Sequence, residues 1–400
     1  MTTSDTALAG IRVLELGQLM AGPFAGTLLG YFGAEVIKIE PPGKGDAVRG
    51  WRAVEGDTSL WWYSLGRNKR SVTVNLKSDE GRELVRKLAA KVDVLVENFR
   101  PGTMEGWGLG PDDLWPSNPG LIYARVSGYG QDGPYATRPG YASVCEGVGG
   151  LRYVNGFPNQ PPVRQNLSLG DSLTGLHTAF GILLALFHRD RKGGRPGQVV
   201  DVGIFEAVYN MMEAVVPEYD RLGMVRGPSG TTITGVVPTN TYPCRDGRYI
   251  IIGGNGDSIF KRLMTAAGRP DMADDPALAD NAGRLEHQQR VDGAIADWTR
   301  TLTAAEVLAA LETARVPAGL IYSVADMVDD PHFAARGLFE TVDAGGRPLK
   351  LPAIIPKLTA TPGRTEWAGP AVGEHTRPVL GDLLGLSDDE LDALVARGVI

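Results

Sequence analysis

The chain has 400 residues, which is too long for one small core and predicts two or three domains. Its net charge of −7, with no block of Lys and Arg residues, argues against a nucleic-acid-binding protein. Its two cysteines and five scattered histidines form no metal-binding pattern, and neither a signal peptide nor a membrane-length apolar run is evident. We therefore expect a cytoplasmic enzyme without a metal and without a membrane partner.

The N-terminal residues predict a βαβ unit. A strand over 11–16 is followed by a loop and by a helix from Pro23 to about residue 32, and a second strand covers 34–40. Glu40 occupies the position of the ribose-binding acid of dinucleotide folds, but the loop at 17–22 lacks their G-x-G-x-x-G pattern. The pattern thus gives little support to a nicotinamide cofactor, although the helix N-terminus can still face a phosphate-bearing ligand.

Strands and helices continue to alternate along the chain. We predict strands over 72–76, 92–97, 121–126 and 198–202, with helices over about 80–90 and from near 205. The strand over 92–97 brings residues 98–102 to the carboxyl edge of a sheet, where open α/β sheets bind ligands. Residues 135–168 are predicted to be rich in loops.

A change in residue composition along the chain predicts the domain boundaries. After residue 222, Gly- and Thr-rich turns precede an isoleucine-rich strand near 248–253 and helices over about 260–267, 291–301 and 304–314. We therefore expect an α/β protein. Its Rossmann-like large domain begins with residues 1–222 and is completed by residues 326–400, and a small central α+β domain covers 223–325.

The stretch Leu169–Gly175 leads from turn-forming residues into an apolar run that ends in basic residues, which is typical of a buried helix. Asp171 at this helix start is either an N-cap residue or a nucleophile whose carboxylate forms a covalent acyl intermediate. Residues 170–173 also spell the motif of GDSL-type hydrolases, with Ser172 attacking. In those hydrolases the motif follows the first strand, whereas several strands precede it here.

Several motifs follow one another in a specific order. They are Ala21-Gly-Pro23, Gly33–Glu40, Asn68-Lys-Arg-Ser71, Glu97–Gly102, Ser127–Gln131, Gly170-Asp-Ser172, Gly197–Val202 and Gly373-Glu-His-Thr376. Together they resemble the class III CoA-transferases, the group that contains formyl-CoA and carnitine-CoA transferases and α-methylacyl-CoA racemase. The resemblance extends from about residue 10 to the C-terminus.

The resemblance implies a reaction and an assembly. Asp171 matches the family's catalytic aspartate, which attacks an acyl-CoA and passes through an aspartyl anhydride and an aspartyl-CoA thioester. Coenzyme A is then a substrate, and no tightly bound cofactor is expected. The family also implies an interlocked homodimer in which each chain threads the other, an exception to the usual avoidance of threading. The overall similarity favours members that use succinyl-CoA and small dicarboxylic acceptors.

The resemblance also assigns the CoA site. Arg100 matches the arginine that packs on the adenine, which suits a planar guanidinium. The other matching positions are Met20, Ala21, Val74, Lys77, Asn98 and Phe99. Formyl-CoA transferases carry Gln where Met20 stands, which argues against a formyl/oxalate pair. Many relatives carry Arg where Gly106 stands, so one phosphate contact is missing or replaced.

Tyr141 separates the two branches of the family. The racemase branch has a His at the matching position for proton exchange at the acyl α-carbon, so Tyr141 favours the transferase branch; a core aromatic is the structural alternative. A 2-methylacyl-CoA racemase, a serine hydrolase and a non-catalytic acyl-CoA binder remain as alternative functions. Arg52, Glu146 and Arg164 are candidates for contact with an acceptor carboxylate, and the sequence does not place them.

Overall fold

The computed structural model describes residues 6–191, 193 and 196–400 of the chain. The strands of these residues are β1 (Arg12–Glu15), β2 (Glu35–Glu40), β3 (Val54–Glu55), β4 (Thr58–Ser59), β5 (Lys69–Thr73), β6 (Val94–Glu97), β7 (Ile122–Ser127), β8 (Val199–Gly203), β9 (Thr239–Pro243), β10 (Tyr249–Gly253), β11 (Ala318–Leu320), β12 (Phe339–Ala344) and β13 (Arg347–Pro352).

The α-helices are α1 (Ala21–Tyr31), α2 (Leu60–Leu65), α3 (Asp79–Ala89), α4 (Thr103–Gly106), α5 (Pro111–Leu114), α6 (Ala142–Val148), α7 (Leu151–Val154), α8 (Leu169–Arg191), α9 (Ile204–Tyr209), α10 (Val215–Leu222), α11 (Asp257–Ala266), α12 (Pro270–Ala273), α13 (Asn281–Glu286), α14 (Gln288–Arg300), α15 (Ala304–Thr313), α16 (Val324–Asp329), α17 (Pro331–Ala335), α18 (Thr376–Leu384) and α19 (Asp388–Ala396). Short 3₁₀ helices cover Ala47–Gly50 and Pro276–Leu278. The helices α6 and α7 lie where the sequence predicts mostly loop. Helices this short depend on tertiary packing, and α6 packs on α8 and α9.

The central feature is a six-stranded parallel sheet with the order β5-β2-β1-β6-β7-β8. From β1 the chain first builds β2 and β5 on one side and then returns to build β6, β7 and β8 on the other. The winding therefore reverses between β1 and β6, and such a reversal leaves a crevice at the carboxyl ends of the two strands. The α/β class with a large parallel sheet is confirmed.

Apolar residues cover both faces of this sheet. In β1, Leu14 belongs to a cluster that includes residues of α3, α18 and α19, whereas Val13 belongs to a cluster with α1 and α8. Alternate residues of a strand point to opposite faces. Helices therefore cover the sheet on both sides, as parallel sheets require.

Three charged side chains are buried in the middle of the sheet. The Glu15 carboxylate of β1 binds the Lys38 ammonium of β2 at 3.1 Å and the Lys69 ammonium of β5 at 2.8 Å, and all three side chains are fully buried. Burial lowers the pKa of Lys69 to about 8. The sequence predicts this strand from residue 72, but it begins at Lys69, because the paired carboxylate allows a lysine to occupy a buried strand position.

The helix α8 is long and apolar. By length and composition alone it passes as a membrane span, and 44% of its apolar window is buried within the fold. It packs closely on α1 at Gly175, where an added Cβ would lie 2.8 Å from the Phe24 side chain. Its buried residues continue the apolar layer on that face of the sheet. We therefore interpret it as a core helix of the α/β fold.

The chain forms two compact units. The first contains the described residues up to Leu151 together with Gln165–Glu213 and Ala334–Ile400, and the second contains Arg152–Arg164 and Ala214–Phe333. The second unit has its own antiparallel sheet, β11-β10-β9, and its own apolar core. The sequence predicts boundaries at 223 and 326, whereas the units change at 214 and 334, because packing rather than local composition defines a unit.

The buried Glu15 carboxylate leaves no space for a side chain at Gly26 of α1. A Cβ added to Gly26 would lie 2.0 Å from Glu15 Oε2, and Glu15 cannot turn away because two lysines hold it. We expect Gly26→Ala to destabilise the protein by about 1–3 kcal/mol, as overpacked cores do. In the matched control Gly381→Ala, in α18, the added Cβ meets only a carbonyl at 3.7 Å, so stability should stay constant or rise by up to about 1 kcal/mol. Thermal unfolding measures both, and a Gly26→Ala protein as stable as the parent would contradict the argument.

Candidate active site

Two loops meet at the crevice between the carboxyl ends of β1 and β6. The loop after β6 begins with Asn98, whose Oδ1 accepts a hydrogen bond from Gln18 N at 2.8 Å and whose Nδ2 donates to Gln18 O at 2.7 Å. The approach is close, since a Cβ on Gly17 would lie 3.0 Å from Asn98 Oδ1. Both polar ends of the Asn98 side chain are thus used to hold the loop after β1.

A buried carboxylate fixes the next residue of the same loop. Leu19 has a left-handed φ of 65°, which is unfavourable for a leucine, and its N–H donates to Asp46 at 3.1 Å. Asp46 is buried and pairs with Lys38 Nζ at 2.8 Å. Burial alone would raise the pKa of Asp46, but Lys38 and two backbone N–H groups hold that pKa below its ordinary value. The strained turn before Met20 is therefore held from inside the sheet.

A cavity of about 300 Å³ occupies this crevice. Its wall contains most of the residues that the sequence singles out, namely Met20, Ala21, Asn98, Phe99, Arg100, Tyr141 and Asp171. Two predicted CoA-binding positions lie outside this wall: the Val74 side chain is buried in the apolar core, and Lys77 is exposed before α3. Gly106 also lies outside it, at the end of α4.

Asp171 lies half-buried in the first turn of α8, at the edge of this cavity. The residue before it is held by Glu146 of α6, a fully buried carboxylate whose Oε1 accepts a hydrogen bond from Gly170 N at 3.2 Å. A Cβ at Gly170 would lie 3.1 Å from the Glu146 side chain, so a larger residue would push Glu146 away from this contact by a few tenths of an ångström. Glu146 thus positions the start of α8, a role that the sequence does not reveal because the contact is to a backbone N–H of another element.

The neighbouring hydroxyl is engaged differently. Ser172 Oγ donates a hydrogen bond to the carbonyl oxygen of Ser168 at 2.9 Å. A serine nucleophile requires a base that accepts the hydroxyl proton. A backbone carbonyl is not such a base, so the local geometry favours Asp171 over Ser172 as the reactive group.

Tyr141, which precedes α6, and Cys145, within α6, lie near Asp171. The Tyr141 ring is 72% exposed and lines the cavity, so it is not a core aromatic. Cys145 is buried, and its Sγ donates to the carbonyl oxygen of Gly128 at 3.3 Å. Burial, together with the nearby Asp171 and Glu146 carboxylates, raises the pKa of Cys145 to about 11.

A second buried carboxylate supports the loop after β6. Glu97 Oε2 accepts a hydrogen bond from Phe99 N at 2.8 Å, and its Oε1 accepts one from Arg125 Nε at 3.0 Å. Burial raises the pKa of Glu97 to about 7 despite both donors. Glu97 therefore fixes the backbone that presents Phe99 and Arg100 to the cavity.

The structure removes the basis for a nicotinamide cofactor. The Glu40 carboxylate is buried and binds Arg49 Nη2 at 2.7 Å and Ser71 Oγ at 2.6 Å. It is a structural group of the sheet and does not face a ribose. Within residues 6–191, 193 and 196–400, no group of three or more His, Cys, Asp or Glu residues is arranged to hold a metal ion.

Comparison with known proteins agrees with this geometry. The model of CoA-transferase family III matches residues 8–376. The chain is 48% identical to a succinyl-CoA–D-citramalate CoA-transferase of Chloroflexus aurantiacus, over 98% of each chain. It is 42% identical to a succinyl-CoA–L-malate CoA-transferase alpha subunit of the same organism, over 98% of this chain and 92% of the relative. A crystal structure of a CAIB/BAIF family protein from Brucella suis superposes with a TM-score of 0.83 at 33% identity, over 95% of this chain and all of the other.

The loop contacts of Asn98 predict its contribution to ligand binding. Asn98→Ala removes both hydrogen bonds to Gln18, and a loop that is no longer fixed should bind CoA about 10-fold more weakly, at about 0.5–1.5 kcal/mol per bond. The matched control is Asn118→Ala, which removes hydrogen bonds to the carbonyls of Ala89 and Val92 away from the cavity. In calorimetric titrations, the Asn118→Ala control should bind CoA with the same affinity as the parent protein. Equal losses in both variants would show that Asn98 has no specific role at the cavity.

Proposed function

The chain belongs to CoA-transferase family III, and on this basis we propose that it transfers CoA from succinyl-CoA to a small dicarboxylic acid through covalent intermediates on Asp171. One observation carries the proposal. Asp171 borders the same cavity as Met20, Phe99 and Arg100, so the proposed nucleophile lies beside residues that the family resemblance assigns to CoA binding.

The reaction has a donor half and an acceptor half, and each half consists of two acyl transfers. An Asp171 carboxylate oxygen attacks the thioester carbon of the donor, the C–S bond breaks, and a mixed anhydride and the CoA thiolate result. The thiolate attacks the aspartyl carbonyl carbon of this anhydride, and the donor acid leaves as its carboxylate. The acceptor carboxylate then attacks the aspartyl-CoA thioester, and the released thiolate attacks the acceptor carbonyl of the second anhydride. The product is the acceptor CoA thioester, and Asp171 is regenerated.

The dicarboxylate class rests on the relatives, and Met20 argues against the formyl-CoA and oxalate pair. Relatives that are 42–48% identical carry names that combine succinyl-CoA with citramalate or malate. Met20 lines the cavity where formyl-CoA transferases carry Gln. A 2-methylacyl-CoA racemase is less well supported, because Tyr141 replaces the imidazole that would move a proton at the α-carbon.

Two substitutions at adjacent positions test the nucleophile. Asp171→Asn should abolish the transfer of labelled CoA from succinyl-CoA to a dicarboxylate, since a carboxamide forms no anhydride, whereas Ser172→Ala should retain most of the activity. Mass spectrometry of the peptide that contains residue 171 should detect an acyl or CoA adduct in the parent and none in Asp171→Asn. An active Asp171→Asn enzyme together with an inactive Ser172→Ala enzyme would instead support the serine hydrolase.

We also propose that the protein is a homodimer, interlocked as its family resemblance implies. In the structure of the single chain, α8 carries an apolar stripe with helical spacing, formed by Leu176, Phe180, Leu183, Leu184 and Phe187. Phe180 and Phe187 are 59% and 61% exposed. Exposed apolar stripes of this kind mark protein interfaces.

The solution mass tests this assembly. Light scattering should give about twice the 42.7 kDa mass of one chain, and Phe180→Glu should shift the protein towards the monomer, because a carboxylate on the stripe would be buried without a partner. The malate relative carries the name of one of two subunit types. A monomer of the parent chain, or a dimer only in the presence of a second polypeptide, would contradict the homodimer.

A further inference from the structure

Arg52 has a backbone conformation that is unusual for a surface arginine. It lies in the short connection between the 3₁₀ helix at 47–50 and β3, and its φ is 61°. Left-handed backbone at a residue other than glycine costs free energy and concentrates at sites with a function. The contacts of the Arg52 side chain indicate the function of this conformation.

The guanidinium is held between an aromatic ring and a hydroxyl. Its Cζ lies 3.9 Å from the centre of the Trp61 ring, and Nη2 donates to Ser168 Oγ at 3.1 Å. Stacking on an indole face orients a planar guanidinium. Trp61 itself packs on the same small apolar cluster as the cavity residue Met20.

The charge of Arg52 is not neutralised by a neighbour. Within the part of the chain that the structure describes, no carboxylate lies within ion-pair distance of Arg52, and Ser168 Oγ is the one side-chain oxygen that it binds. Most of the guanidinium N–H groups therefore point to solvent. An arginine that is held in place and still has a vacant fork is suited to bind a carboxylate in two parallel hydrogen bonds.

Ser168 connects Arg52 to the proposed nucleophile. It immediately precedes α8, and Asp171 follows three residues later in the first turn. The Ser168 carbonyl oxygen accepts a hydrogen bond from Ser172 N at 3.0 Å, so Ser168 closes the same first turn that contains Asp171. The guanidinium of Arg52, which is held on Ser168 Oγ, therefore lies next to the turn of α8 that carries Asp171.

We propose that Arg52 binds the distal carboxylate of the dicarboxylate substrates. This inference rests on the proposed CoA transfer. In that reaction the donor acyl group and the acceptor acid occupy Asp171 in turn, so one cationic group serves both the succinyl group and the incoming acid. Arg52 is thus a specificity-determining residue for a second carboxylate, while the thioester and the CoA moiety are bound by the cavity residues.

The test compares two donors that differ only in the distal carboxylate. For the parent enzyme, kcat/KM should be higher with succinyl-CoA than with butyryl-CoA. In Arg52→Gln this preference should fall by about 10- to 100-fold, the range for a hydrogen-bonded ion pair. The fall should come from a lower kcat/KM with succinyl-CoA, while kcat/KM with butyryl-CoA stays the same. Arg52→Lys should recover part of the preference, because the charge is kept and the fork is lost. The affinity for free CoA, measured by calorimetry, should be the same in all variants.

Arg191→Gln is the matched control, since Arg191 also covers an aromatic ring, at 5.3 Å from Phe187, but lies at the opposite end of α8. It should keep the parent preference. An unchanged preference in Arg52→Gln, an equal loss with both donors, or a parent enzyme without any preference would overturn the assignment. Failure of the proposed function is a different result, namely a parent enzyme that transfers CoA from neither donor.

Discussion

The fold depends on one buried ammonium group. Lys38 Nζ binds the Glu15 carboxylate within the sheet at 3.1 Å, the Asp46 carboxylate at 2.8 Å and the carbonyl oxygen of Gly17 at 2.8 Å. It therefore joins β1 and β2 to the loop that forms one wall of the cavity. Charges so deeply buried are retained only when every one is paired, and the partners of Lys38 come from two separate stretches of the chain, residues 15–17 and residue 46. The geometry of the cavity wall is thus determined inside the sheet, not by contacts at the surface.

A comparable arrangement governs the other side of the crevice. The start of α8 is held by the buried Glu146, and the loop after β6 is held by the buried Glu97. In both cases a carboxylate accepts a hydrogen bond from a backbone N–H adjacent to a residue of the site. The residues proposed to carry the chemistry are therefore positioned by acids that themselves take no part in it. Such support is what holds a reactive group within a fraction of an ångström of its working position.

The alternating apolar runs predict the parallel sheet and the carboxyl-edge crevice well, because hydrophobic periodicity and chain order are local properties. The order of the motifs likewise predicts the family, and Asp171 lies beside the cavity. The sequence does not reveal what is non-local. The polar Lys69 is left outside the predicted strand because its buried partner, Glu15, is distant in sequence. Glu40 resembles a ribose-binding acid in the sequence, but in the structure it pairs with Arg49. The family resemblance assigns Val74 and Lys77 to the CoA site, but their side chains lie away from this cavity wall.

The buried thiol of α6 has a consequence for chemical selectivity. An aspartyl anhydride is open to attack by any thiolate within reach, and the protein carries a cysteine of its own next to the proposed nucleophile. With a pKa raised to about 11, Cys145 stays protonated at neutral pH and keeps its hydrogen bond to the Gly128 carbonyl. The protonated thiol is a poor nucleophile. An anhydride on Asp171, as proposed above, would therefore not be attacked by Cys145, and the coenzyme sulfur would have no competitor in this thiol.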